Sequence, residues 1–267
     1  MRPNILWLCT DQQRFDTIHA LGNSSIRTPN IDRLVADGVA FTQAYAQSPV
    51  CTPSRAAMLT GRYPRTTRCR QNGQQIPANE RLLPRMLADH GYDCGLAGKL
   101  HLSSCANGRV EQRIDDGYRV FHWSHHPQPD WPENAYTQWL AKQGKTWEEL
   151  YTGEETRFTK RGIPAEYHQT TWCAEMACDY IRERANEKEP WLFSVNFYAP
   201  HHPFDPPGEY LDRYNPDEMP LPKYREGELA GKPRFQQLDH IWAHNSPGYY
   251  PTGEMTDEEA RQVVAAY

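Results

Sequence analysis

The run Ile5-Leu6-Trp7-Leu8-Cys9 carries no charged side chain and is too short for a buried helix. It has the pattern of a strand covered on both faces of a parallel sheet, and it delivers Asp11 to the strand's carboxyl end, the edge where open α/β sheets hold their ligands. The same grammar repeats downstream. Pro29 to Asp37 reads as a helix with Ile31, Leu34 and Val35 on one face and Gly38 closing it, followed by a strand from Val39 to Tyr45. Glu80 to His90 reads as a helix up to Gly91, with Tyr92 to Ala97 returning as a strand. Gln169 to Asn186 reads as a helix, and Trp191 to Tyr198 as a strand that ends at Pro200-His201-His202-Pro203. Alternation of this kind requires crossover connections. The expected fold class is therefore α/β, a mainly parallel sheet flanked by helices.

A chain of 267 residues suits one large α/β domain or two small ones, and one is the simpler reading. With 38% hydrophobic and 24% charged residues the composition is that of a soluble globular protein, and 22 prolines and 15 tyrosines call for substantial loops. Residues 103–165 and 203–250 read as long loops over the carboxyl edge of the sheet, where substrate selectivity is expected. A net charge of −5 gives no global attraction to nucleic acid or acidic membranes, so an anionic substrate must be held by local cations. The opening MRPNILWLCT is too short in its apolar part for a signal peptide, and no run approaches the roughly 18 apolar residues of a membrane span. A cytoplasmic location with no membrane or nucleic-acid partner is expected. Seven cysteines, an odd number without framework spacing, point to reduced thiols. Thr256 and Glu259 start a capping box, yet the sequence stops at Tyr267 without a C-terminal cap, as if cut short.

Chemistry concentrates in Cys51-Thr52-Pro53-Ser54-Arg55-Ala56-Ala57-Met58-Leu59-Thr60-Gly61-Arg62. Thr52 can cap a helix whose first position is Pro53, and Gly61 can end it after about two turns. Cys51 then precedes the positive end of the helix, and Arg55 can turn its guanidinium to the same mouth, where a tetrahedral oxyanion would fit. Taken alone, a single Cys is more often a small buried hydrophobe. The whole string, however, resembles the sulfatase signature CxPSRxxxxTGR with every defining position filled. The chain is similar to type I sulfatases of the alkaline-phosphatase superfamily. The resemblance implies an alkaline-phosphatase-like fold of which residues 1–267 are the N-terminal portion of a single catalytic domain, truncated before its C-terminal part. It also implies that a formylglycine-generating or sulfatase-maturing enzyme converts Cys51 to formylglycine, whose hydrated aldehyde is the nucleophile.

Further motifs align with that family. Asp11 stands as a metal ligand, on the residues a hard-cation donor or a helix cap. The family usually has two acidic residues here; Asp11-Gln12 instead resembles the choline-sulfatase and phosphonate monoester hydrolase branch, with Gln12 a second candidate ligand and residue 51 a third. Gly91-Tyr92-Asp93-Cys94-Gly95-Leu96-Ala97-Gly98-Lys99-Leu100-His101 resembles the second sulfatase signature, with Cys94 where Ser or Thr is usual. It implies that Lys99 bridges formylglycine and sulfate and that His101 partners the diol. In Pro200-His201-His202-Pro203, His201 aligns with the family histidine that contacts sulfate or assists the leaving oxygen, and Asn72 is a candidate sulfate or diol contact, though Asn72-Gly73 is also an ordinary turn. His122, His125 and His126 lack acidic or thiolate company and read as a surface or substrate-lining loop rather than a zinc site; Cys173 and Cys178 read as core packing.

The implied reaction is hydrolysis of a small-molecule sulfate ester, with a divalent cation, Ca2+ before Mg2+ or Mn2+, and with Arg55 and Lys99 neutralising charge. The later Asp-His or Asp-Asn ligand pair and the second Lys of the family do not occur in these residues, so the chain by itself is expected to be weakly active or inactive. A phosphodiesterase or phosphonate monoester hydrolase on the same scaffold, and a non-catalytic sulfatase-like fragment, are the alternative readings.

Overall fold

A computed structural model describes residues 2–105, 109–127, 133–151, 153, 155–223, 225–238 and 255–267. Strands β1 (Ile5–Cys9), β2 (Asp93–Gly98), β3 (Val120–Trp123) and β4 (Trp191–Asn196) form one sheet in the order β1-β4-β2-β3. Every pairing is parallel, so each connection crosses over, as the alternating sequence requires. Helices α1 (Pro29–Asp37), α2 (Cys51–Thr60), α3 (Pro64–Thr67) and α4 (Leu83–Asp89) lie between β1 and β2 in the chain; α5 (Ala135–Lys142), α6 (Trp147–Leu150) and α7 (Gln169–Arg184) lie between β3 and β4. Beyond β4 come α8 (Gly208–Leu211) and α9 (Asp257–Ala266).

Helices cover both faces of the sheet. On one, Cys94, Leu96 and Leu192 pack with Ala56 and Leu59 of α2 and with Leu82, Leu100, Leu102 and Tyr118. On the other, Phe193 meets Tyr180 of α7 at 4.5 Å between ring centroids. Trp172, Cys173, Ala177 and Tyr180 recur at helical spacing along α7, which is why that helix buries one stripe. A fully buried Leu or Phe of this kind contributes about 1.5–3 kcal/mol. Gly95 permits the close packing: a Cβ there would stand 2.6 Å from the Phe193 ring.

Register then sets the site. Cys9 pairs with Asn196, Asn196 with Gly98 and Gly98 with Trp123, so the four strands end in one row and release their loops at one edge.

Several expectations are corrected. β1 is not buried on both faces: it is an edge strand, and Leu6 and Leu8 are 45% and 54% exposed. Val39 to Tyr45 forms no strand; Val39, Phe41 and Tyr45 are exposed, and strand propensity without a neighbour to pair with does not make a strand. The helix expected from Glu80 starts at Leu83, because Pro84 is tolerated only in a first turn. The strand expected to reach Tyr198 stops at Asn196, and residues 103–165 hold β3, α5 and α6 rather than one long loop.

The residues cluster into two compact units, Met1–Leu150 with Glu166–His201, and Tyr151–Ala165 with His202–Tyr267. The first contains the sheet. In the second, Thr256 and Glu259 form the expected capping box at the start of α9, Arg161 grips Asp212 through two hydrogen bonds of 2.7 and 2.5 Å, and Tyr151 Oη donates to Asp205 Oδ2 at 2.7 Å. Burial pushes the Asp205 carboxyl up to about 6. Part of the 203–250 stretch lies outside the described residues. All seven cysteines are unpaired. Among the described residues no helix is long and apolar enough to cross a membrane.

Candidate active site

Cys51 is the first residue of α2, so the helix starts two positions earlier than the expected Pro53. Thr52 is therefore inside the helix rather than its cap, and its buried Oγ1 has no hydrogen-bond partner among the described residues. Val50 stands at the N-cap in an extended conformation with no side chain able to accept. Asn72 supplies the missing acceptor from a distance: its Oδ1 receives the Thr52 N–H at 2.9 Å. The far end follows expectation, with Gly61 at φ 66° and its N–H returned to Ala57 O at 2.9 Å.

The Cys51 thiol faces a buried ion pair. Lys99 leaves the end of β2 and is 1% exposed; its Nζ donates to Asp11 Oδ2 at 2.5 Å, and Arg55 Nη2 stands 3.6 Å from the same oxygen. Cys51 Sγ lies 3.9 Å from Asp11 Oδ1 and 4.0 Å from Lys99 Nζ. Burial by itself would push the Asp11 carboxyl up, but Lys99 and Arg55 outweigh it and hold the group below the usual carboxylate range. The backbone under Lys99 is fixed too: its carbonyl accepts Arg55 Nη1 at 2.6 Å and Asn196 Nδ2 at 2.9 Å. Gly98 makes this approach feasible, since a Cβ at its φ of 104° would fall 2.0 Å from Asn196 O.

His101 adopts φ 58°, a conformation rare outside glycine, and Glu111 holds it there. The Glu111 carboxylate accepts the His101 N–H at 2.8 Å, the Leu102 N–H, and Trp123 Nε1 at 3.1 Å. Burial, then the Lys99 and Arg55 charges, lower the His101 imidazole to about 3, so it is neutral at pH 7. His201 follows β4 in a turn closed by its N–H to Tyr198 O at 3.0 Å, with its ring 4.6 Å from that of Tyr198. One donor atom each from Asp11, Cys51 and His201 lies within 4.8 Å of the others. Gln12, next to Asp11, has φ 60°. The structure thus brings Asp11, Cys51, Arg55, Lys99 and His201 to one mouth, with His101 in the same electrostatic field and Asn72 behind the helix start.

Among the described residues Asp11 is the one carboxylate grouped with Cys51 and His201, and its Oδ2 already carries Lys99. With oxygens from Gln12 and a modified residue 51 added, the set falls short of the six to eight oxygens a hard cation takes. The donors present do not by themselves fit a resident Ca2+.

Sequence reasoning missed Glu111, Asn196 and Cys105. Glu111 sits in a charged segment with no motif, and its partners, two backbone N–H groups and the Trp123 indole N–H, are ones a sequence does not advertise. The three nearby histidines diverge: His122 is in β3, His126 meets Tyr198 edge-on at 6.4 Å between ring centroids, and His125 Nδ1 lies 3.2 Å from Cys105 Sγ, so His125 does have the thiol company its sequence neighbourhood lacks. Cys94 is core, its thiol donating to Pro84 O at 3.4 Å. Cys173 is buried as expected, whereas Cys178 is exposed.

The family model described as Sulfatase matches residues 3–266. The chain is 28% identical to the uncharacterized sulfatase YidJ of Escherichia coli over 99% of this chain and 54% of that protein. It is 29% identical to an arylsulfatase of Clostridium perfringens over 87% of this chain and 50% of that one. Among solved structures, a phosphonate monoester hydrolase of Agrobacterium radiobacter superposes with a TM-score of 0.77 at 26% identity, covering 100% of this chain and 56% of the other. The chain spans about half the length of the curated relatives it matches.

Proposed function

The chain belongs to the sulfatase family, and on that premise we propose that Cys51 is the site at which a sulfate ester is hydrolysed to an alcohol and sulfate. The observation that carries this reading is the thiol's placement at the start of α2, 4.0 Å from Lys99 Nζ and 3.9 Å from Asp11 Oδ1. Modified to formylglycine, residue 51 would supply a hydrated aldehyde, one hydroxyl attacking sulfur and the other later expelling sulfate as the aldehyde re-forms. The remaining residues prepare that chemistry. Lys99 and Arg55 offset the charge that gathers on the transferred group, and Asp11 keeps both cations aimed at it without solvent reorganisation. His101, neutral at working pH, can accept a hydrogen bond from the nucleophilic diol, and His201 is suited to return a proton to the departing oxygen. Asn72 holds the first turn of α2, and so the position of residue 51.

The family also implies a divalent cation, with Ca2+ the first candidate; since the described donors are too few for it, no step above depends on one. A small-molecule sulfate ester as substrate and a maturing enzyme as partner belong to the same reading. A second reading, a phosphonate monoester hydrolase, is favoured by Asp11-Gln12 in place of two acidic residues and by the likeness to that hydrolase structure. Parallel assays on protein with residue 51 matured decide between them. Turnover of an aryl sulfate above that of an aryl phosphonate ester, abolished by Cys51→Ala, is the expected result. The reverse preference would replace the first reading by the second, and turnover of neither ester would leave a sulfatase-like fragment without catalysis.

A further inference from the structure

β2 and β3 end side by side, Gly98 opposite Trp123, so the segments that leave them carry His101, Cys105 and His125 to one place. Cys105 Sγ lies 3.2 Å from His125 Nδ1, the His101 and His125 rings meet nearly edge-on at 4.4 Å, and one donor atom from each residue lies within 4.8 Å of the other two. His101 and Cys105 are each 7% exposed, and His101 Nδ1 is buried with no hydrogen-bond partner among the described residues. A buried imidazole nitrogen without a partner is unfavourable, and a metal accepting a ring lone pair relieves that cost. We propose that His101, Cys105 and His125 form a binding site for Zn2+, distinct from the Asp11, Cys51 and His201 cluster beside it.

Donor chemistry selects the metal. Two imidazole nitrogens and one thiolate suit a borderline-soft tetrahedral ion and not Ca2+ or Mg2+, which take oxygen. Donor atoms around tetrahedral zinc stand about 3.3–3.6 Å apart, so side-chain shifts of about 1 Å close this triad on an ion. Protons balance simply: burial keeps both imidazoles neutral, with lone pairs available, and the Cys105 thiol releases one proton to solvent as the sulfur–zinc bond forms. Water fills the fourth position. Glu111 braces the site from outside, because its carboxylate accepts the His101 and Leu102 N–H groups on one segment and Trp123 Nε1 on the other. Zinc held here would withdraw His101 from its contact with the nucleophile at residue 51. That inhibitory consequence rests on the proposed function, whereas the binding does not.

Titration of the metal-free chain with Co2+, followed by displacement with Zn2+ against a chromophoric chelator, reads the site without any activity assay. One equivalent of Co2+ should give a tetrahedral visible spectrum with a thiolate-to-cobalt charge-transfer band. Cys105→Ser should abolish that band, His125→Asn should weaken Zn2+ binding by about tenfold or more, and Cys51→Ala and His122→Asn should change neither. Circular dichroism checks that each variant is folded, and the two ligand variants test the site independently. An octahedral spectrum without the sulfur band, a band that survives Cys105→Ser, or one that disappears with Cys51→Ala would overturn the proposal.

Discussion

Lys99 is nearly solvent-free and has one carboxylate to answer it, so the pair is costly to break from either side. Lys99→Met leaves buried Asp11 without its closest cation, with Arg55 at 3.6 Å the remaining ion-pair partner among the described residues, and a loss of about 3–5 kcal/mol is expected. The loss should depend on pH in a definite direction. In the native chain Asp11 titrates below its unfolded value, so its contribution is present above about pH 4 and is lost as pH falls through the lower folded value. In the variant that lowering is weakened, so less of the carboxylate's stabilising contribution remains above pH 4. Denaturant titrations at pH 7 and near pH 4 should therefore give a larger difference between variant and wild type at pH 7; equal differences would mean that Asp11 and Lys99 are not coupled as described. Glu111 poses a sharper packing problem. Glu111→Ala deprives three buried N–H groups of their acceptor, and a destabilisation of about 3 kcal/mol or more is expected in the same assay, together with loss of the left-handed turn at His101.

At the scale of elements, α2 and the end of β2 set the nucleophile's surroundings. Asn72 caps α2 from 20 residues away, so Asn72→Ala should cost about 0.5–2 kcal/mol while Asn72→Asp, still an acceptor and favoured by the helix dipole, should cost less. A thermal shift of the same size in both variants would contradict the capping role. Much of this level was readable in advance. The Gly61 stop of α2, the strand–helix alternation and the capping box at Thr256 are local signals, and local signals survive folding. Three features were not readable for the same physical reason in reverse: Thr52 yields its capping role to Asn72, Val39–Tyr45 stays out of the sheet, and β3 enters it on four residues, each decided by a neighbour distant in sequence. The candidate site divides likewise. Asp11, Cys51, Arg55, Lys99, His101 and His201 lie in motifs, while Glu111 and Asn196 act largely on main-chain groups and carry no signature.

For the whole molecule, the parallel sheet explains why residues as far apart as Asp11 and His201 converge: strands ending in one row deliver their following loops to one edge. The opposite property of the same sheet is its open edge at β1, where Leu6 and Leu8 are exposed and α1 buries no residue completely. A polypeptide of these 267 residues should accordingly bind a hydrophobic dye such as ANS in its native state, and a Leu6→Lys, Leu8→Lys double variant should bind measurably less. The limited oxygen donor set at Asp11 leads to a further expectation, that calorimetry on this polypeptide detects only weak Ca2+ binding, since three oxygens cannot satisfy the ion. Tight stoichiometric binding would require donors beyond those described. The central claim concerns residue 51, and the mass of the proteolytic peptide containing it tests that claim most directly. Protein made alongside a maturing enzyme should yield this peptide with an aldehyde in place of the Cys51 thiol; a peptide carrying only the unmodified thiol would contradict the account.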